Sequence, residues 1–354
     1  MLHKATKSIT AVTISLICAI LFFVIAEFLV RFLMPEVNFT GESASLVLGR
    51  KYGPSRGYAP DSEGVSWGAK IYTDSRGFRV DPKEPPAEDS SLPSIVILGD
   101  SVSLGIGVPA EKTFVNLISR KMGGYNIYNT SVTGYFVSDY RNVVEKFVIP
   151  ESRQLKIKKV FLFYSLSDVH AHDAIRISKP AGTEKDMIKY GRIGVFIDKT
   201  ISYPYSVKLK TFLAHHSKLY HVLKKIFHDS SKKWFFQDYN AHKNDKNIDN
   251  VISTVDYIRD ILSGADIECV VFIIPYEYQL RRKKAYLLLP QKMISRKLGE
   301  INIKCYDLYA GVSRALEKES IPAGKLFLFN DHCHLSDIGH RITAQEVLRC
   351  LESR

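Results

Sequence analysis

Beyond residue 93 the apolar positions of this chain fall into two alternating rhythms. Short unbroken runs, SIVILG (94–99), KVFLFYSL (159–166) and ECVVFIIP (268–275), are too brief for helices and predict strands buried on both faces. YNIYNTS (125–131) and NIKCYDLY (302–309) predict two more. Between the strands the spacing changes to three and four. EKTFVNLISRKM (111–122) sets Phe114, Leu117 and Ile118 on one helical face. SDYRNVVEKFVIP (138–150) does the same with Val143, Val144, Phe147 and Val148, and Pro150 is expected to end it. VISTVDYIRDILSG (251–264) is a helix that stops at glycine, and ITAQEVLRCLES (342–353) closes the chain as another. Strands alternating with helices build βαβ units, so about five parallel strands in a three-layer α/β/α architecture are expected.

The first 35 residues follow neither rhythm. Ile9 to Ala26 is 18 residues without a charge, and FLVRFLM prolongs the apolar character. As a helix those residues rise about 27 Å, close to the roughly 30 Å of a hydrocarbon core. A cleaved signal ending at Val24-Ile25-Ala26 is the alternative, but the run stays hydrophobic beyond Ala26, which favours a retained transmembrane helix. His3, Lys4 and Lys7 precede it and place the N-terminus in the cytoplasm, with the rest on the non-cytoplasmic side. Glu27 and Arg31 are four apart and able to pair at the far interface. The chain then divides into an anchor (1–35), a connector and outer segment (36–93), and an α/β domain (94–354) carrying a basic helical insert at about 171–250.

Composition changes this picture little. Among 354 residues, 45% hydrophobic and 24% charged leave room for a substantial core. The net charge of +12 favours anionic partners of any kind. Basic and aromatic residues mingle in the insert, but on the outer side of a membrane nucleic acid is not the expected partner. Five cysteines, one of them inside the apolar run, show no zinc spacing and leave disulfide pairing open.

Candidate chemistry starts where the first strand ends, in IVILGDSVSLGIGV (95–108). GIGVPA (105–110) matches a dinucleotide fingerprint in letters, yet six residues separate it from the strand, and no P-loop lysine follows. G-x-S-x-G fails as well, because position 103 is serine. A nucleophile at Ser101 needs a base, and DHCHLSDIGH (331–340) offers Asp331 three residues before His334, a spacing at which the carboxylate orients the imidazole. Taken alone, that pair fits a surface contact or a metal ligand equally well, and His170 and His172 in DVHAHD invite a metal reading of their own.

Together, Gly99-Asp100-Ser101-Val102 after a first strand and Asp331, His334, Leu335, Ser336, Gly339 and His340 before a last helix resemble the SGNH/GDSL hydrolase superfamily. NTSVTGY, with Gly134, is similar to its second block, and TDSRGFR (73–79) to a segment of its membrane-anchored members. The resemblance spans about residues 70–350. It implies a flavodoxin-like sheet of order 2-1-3-4-5 with the site beyond the carboxyl ends of the strands. It further implies Ser101 as nucleophile, His334 as base and Asp331 as its orienting carboxylate, with Ser101, Gly134 and residue 167 lining the oxyanion hole. No metal or organic cofactor is implied. One block departs: where the family has Gly-x-Asn-Asp, this chain has Ser165, Ser167 and Asp168, so a serine stands in the place of the oxyanion asparagine. The expected function is a membrane-anchored esterase acting on acyl esters of cell-envelope glycans or lipids. An O-acyltransferase with the same triad and a non-catalytic envelope protein are the alternatives.

Overall fold

The computed structural model describes residues 2–83, 89–170 and 204–353. It divides into two compact units, one of Gly41–Ile188 with Asp229–Arg354, the other of Met1–Thr40 with Lys189–His228.

The larger unit begins with short antiparallel pairings. β1 (Val47–Tyr52) pairs with β2 (Ser55–Tyr58), while β3 (Glu63–Ser66), β4 (Ala69–Thr73) and β5 (Arg79–Val80) form a second small sheet. The segment expected as a connector thus carries five strands. β4 and β5 are joined by a turn in which Asp74 Oδ1 accepts from the N–H groups of Arg76 and Phe78.

β6 (Ser94–Leu98), β7 (Asn126–Asn129), β8 (Ile157–Tyr164), β9 (Glu268–Ile273) and β10 (Lys304–Asp307) then build the parallel sheet, ordered β10-β9-β8-β6-β7. Numbered along the sheet this is 2-1-3-4-5, the expected doubly wound order. Ile95 to Leu98 and Val160 to Phe163 are wholly buried, because helices cover both faces. One layer packs Phe114–Lys121, Tyr309–Lys318 and Asp337–Glu352 together; the other packs Val137–Val143, Asp245–Gly264 and Leu289–Glu300. In-register partners Phe163, Phe272 and Tyr306 stack across three strands at 5.1 and 5.5 Å, and Phe114 meets Phe163 at 4.7 Å. Each such ring pair adds about 0.5–1.5 kcal/mol beyond area burial. Pro150 does not end its helix: the turn widens to a π-helix over Val144–Val148 and continues through Ile149–Glu151, accommodating a residue that has no N–H to give.

The smaller unit holds the helix Leu2–Leu33, of which Thr10–Leu33 is long and apolar enough, by length and composition, to cross a membrane. Two further helices, Pro204–His216 and Lys218–Phe227, follow in its second segment. The paired Glu27 and Arg31 sit at the joint between them. Glu27 accepts from Ser217 Oγ (2.8 Å), Lys218 N (3.0 Å) and Leu219 N (2.9 Å), while Arg31 donates to the His216 carbonyl (2.7 Å). A carboxylate at one helix start and a guanidinium at the other helix end both complement the helix dipoles.

Candidate active site

The turn that carries Ser101 is built by side chains too small or too well tied to do otherwise. Asp100 caps the single turn Ser101–Leu104 by accepting from Val102 N at 2.8 Å, and Gly105 ends it in the left-handed region with φ 79°. A Cβ at Gly99 would run into the Ser103 side chain, so only glycine lets the chain turn this sharply off β6. Asn129, at the end of β7, donates to the Ser103 carbonyl, and the buried Arg79 of β5 donates to the carbonyls of Leu104, Gly105 and Val108. The turn is therefore held from two sides.

The segment 331–340 is explained almost residue by residue. Ser336 caps the helix Asp337–Glu352, accepting from Gly339 N, and Leu335 is buried. A Cβ at Gly339 would strike the Leu326 carbonyl. His340 Nδ1 accepts from the Phe114 N–H at 3.1 Å, so this histidine ties two helices of one layer together. Burial, with the Arg79 and His334 charges, pushes its pKa down to about 3.

The structure brings Ser101, His334 and Asp331 together. Ser101 Oγ lies 2.8 Å from His334 Nε2, and His334 Nδ1 lies 2.9 Å from Asp331 Oδ2. Asp331 Oδ1 accepts from the backbone N–H groups of Cys333 and His334, at 2.9 and 2.8 Å. All three residues are buried. Burial by itself would raise the Asp331 carboxyl, but His334, the Coulomb field of His332 and the hydrogen bonds hold it well below the usual carboxylate range. The reverse holds for His334: burial opposes its charge, yet Asp331 and then Asp100 raise its pKa above the ordinary imidazole value. With Asp331 on Nδ1, the neutral ring carries its proton there and offers Nε2 as an acceptor to the serine.

Gly134 and Ser167 lie in the loops after β7 and β8, the two strands that flank β6, so all five sequence-predicted residues fall at one end of the sheet. Gly134 has φ 73°, with the Arg56 guanidinium beside it. The N–H groups of Ser101 and Gly134 engage no acceptor among the described residues. The Ser167 and Ser165 hydroxyls share a hydrogen bond at 3.1 Å, and the Ser167 N–H donates to Tyr276 Oη at 3.0 Å. Tyr276 in turn donates to Asp238 Oδ2. Asp168 is wholly buried; it accepts from Ser165 N and Tyr140 Oη, and burial followed by the nearby Asp100 charge raises its pKa far above the usual range. Its position inside this network makes it a brace for the loop.

Trp67, Tyr276, Asp238 and Arg79 were not legible as site residues. The only hint for Trp67 was a bulky residue in a Trp-Gly turn. Trp67 and Gly68 form the two-residue connection of β3 and β4, with φ 51° and 83°, and the indole lies against the His334 ring.

Asp331, His332 and Cys333 each bring one donor atom within 4.8 Å of the others. Burial pushes the Cys333 thiol far up and keeps it protonated, and both Asp331 oxygens already serve the segment, so the set is poorly prepared for a metal. His170 Nε2 pairs with Asp238 Oδ1 at 2.9 Å, and His172 lies outside the described residues. The five cysteines are free.

No family model matches the sequence. No curated protein matches it either. Solved structures similar to the chain include a lipolytic protein of the G-D-S-L family from Veillonella parvula, 13% identical, covering 74% of this chain and 99% of its own, with a TM-score of 0.42. An acetylxylan esterase from Geobacillus stearothermophilus is also 13% identical, covering 73% of this chain and 93% of its own, with a TM-score of 0.40. An α/β hydrolase from the metagenome of Lake Arreo is 12% identical, covering 74% and 97%, with a TM-score of 0.42. The chemistry rests on the side chains of this chain.

Proposed function

We propose that this chain is a serine esterase of the SGNH type. One observation carries the reading: an unbroken relay from Asp331 through His334 to Ser101, buried at the carboxyl end of a doubly wound sheet. Ser101 Oγ attacks the acyl carbon as its proton passes to His334 Nε2, and Asp331 stabilises the imidazolium that forms. The N–H groups of Ser101 and Gly134, with the Ser167 hydroxyl in the asparagine's place, receive the oxyanion. His334 then returns the proton to the leaving alcohol and activates the water that releases the acid. In this reading the helix Thr10–Leu33 is a retained membrane anchor, supported by an apolar run that continues past the small-residue site at Val24-Ile25-Ala26. The anchor and the net charge of +12 favour acyl esters of cell-envelope glycans or lipids as substrates.

The test is hydrolysis of p-nitrophenyl acetate by the full chain in detergent. Ser101→Ala is expected to reduce the rate to that of buffer. Equal rates for the two proteins would overturn the esterase reading.

A further inference from the structure

The helix Lys218–Phe227 has an apolar face that nothing covers among the described residues. Leu223, Ile226 and Phe227, spaced three and four apart, form one stripe, and Ile226 and Phe227 are 67% and 61% exposed. Lys224 and Lys225 stand on the other side of the helix, and His221, between them, turns inward to the Ala214 carbonyl. The preceding helix adds Leu209 and Phe212, three apart and 57% and 58% exposed. A stripe of this kind on a short, lysine-flanked helix suits the boundary between headgroups and acyl chains.

The depth of the stripe follows from its attachment. The charge-free stretch Ile9–Ala26 fills about 27 Å of helix, so the hydrocarbon boundary falls where charge returns, at Glu27. Glu27 is the residue that accepts from the first N–H groups of Lys218–Phe227, and the two helices pack on each other. The amphipathic helix therefore starts at the boundary itself. Its lysines forbid a second crossing, and its apolar stripe does not favour open water. We infer that the helices Pro204–His216 and Lys218–Phe227 lie in the headgroup layer of an anionic bilayer, with Leu223, Ile226 and Phe227 in the acyl boundary and the lysines at the phosphates. The inference rests on the anchor reading above and extends it from one point of attachment to two.

The experiment uses the full chain reconstituted in vesicles of phosphatidylcholine and phosphatidylglycerol. p-Benzoylphenylalanine replaces, one at a time, Leu21 in the anchor, Ile226 and Phe227 in the stripe, and Thr211 on the side of its helix away from Leu209 and Phe212. After irradiation, covalent lipid adducts are measured by mass spectrometry. Strong adducts at Leu21, and adducts at Ile226 and Phe227 about tenfold above Thr211, are expected for an interfacial helix. Adducts at Leu21 with none above Thr211 at either stripe position would overturn the interfacial assignment and leave the anchor standing. Absence at Leu21 would remove both. Reading two adjacent stripe positions separates a local folding failure from a dry helix.

Discussion

The Trp67 indole lies 4.7 Å, centroid to centroid, from the His334 imidazole at an interplanar angle of 53°. Trp67 reaches this place from a left-handed turn conformation that a bulky side chain seldom adopts, and its N–H is fixed by the Gly41 carbonyl at 2.7 Å. The small antiparallel sheet thus packs one face of the His334 ring that meets Ser101. Trp67→Ala is expected to lower kcat about tenfold by loosening the ring, with Trp67→Phe restoring most of it. Steady-state kinetics on the two variants checks this; equal kcat for Trp67→Ala and the parent would detach the indole from the base.

The pH profile follows from the sign of the His334 shift. On the proposed mechanism His334 acts as neutral imidazole, and Asp331 raises its pKa, so kcat/KM is expected to rise with pH along a limb placed above the ordinary histidine value of about 6.5. Asp331→Asn removes the charge that favours imidazolium and leaves burial, which lowers the pKa. The limb then moves to lower pH while the rate falls by about 10⁴-fold. A limb that stayed in place on Asp331→Asn would exclude the carboxylate as the cause.

Ser167 is the point at which the site departs from the family it resembles. If its hydroxyl joins the oxyanion hole, Ser167→Ala lowers kcat by roughly 10²-fold with KM unchanged, and Ser167→Asn, with a longer and stiffer donor, raises it. Unchanged kcat in Ser167→Ala would take the hydroxyl out of the hole. Tyr276→Phe gives an independent reading of the same loop. It strips the Ser167 N–H of its acceptor and Asp238 of a donor, at a cost of about 1–3 kcal/mol visible in Tm.

Two buried histidines predict acid sensitivity. Burial lowers His340 to about 3 and His242 to about 4, so both stay neutral in the fold while the unfolded chain takes up protons below about 6.5. Stability is therefore fully present above that value and falls as the pH drops from it, by up to about 1.4 kcal/mol per pH unit for each group. His340→Gln keeps an acceptor for the Phe114 N–H and removes one titration, so its Tm should decline less steeply between about pH 6 and 4.5. Parallel Tm curves would rule His340 out.

Three of the parallel strands, β6, β8 and β9, were legible because burial on both faces leaves continuous apolar runs, as in Ile95–Leu98 and Val160–Phe163. Asp331 and His334 were legible for a local reason: their contact is three residues long, and the surrounding Leu335, Ser336 and Gly339 each answer to a cap or a close approach nearby. Trp67 and Tyr276 were not, since each acts on the site across a long stretch of sequence and neither belongs to a pattern that spacing can reveal, while Arg79 stood in the TDSRGFR block with nothing local to show that it holds the turn at Ser101. The π turn before Pro150 escaped for another reason. A proline predicts a helix end, and only the packed helix shows that a widened turn absorbs it.

The contact of Glu27 with Lys218 and Leu219 has a bearing on assembly. The acceptor and its donors are 191 and 192 residues apart, so during synthesis at about 5–20 residues per second the carboxylate is in place roughly 10–40 s before the segment it caps is made. The first helix is a mould waiting for the later one. A leader protease cutting after Ala26 would leave Glu27 as the first residue, so the acceptor would stay on the chain but lose the helix that holds it in place.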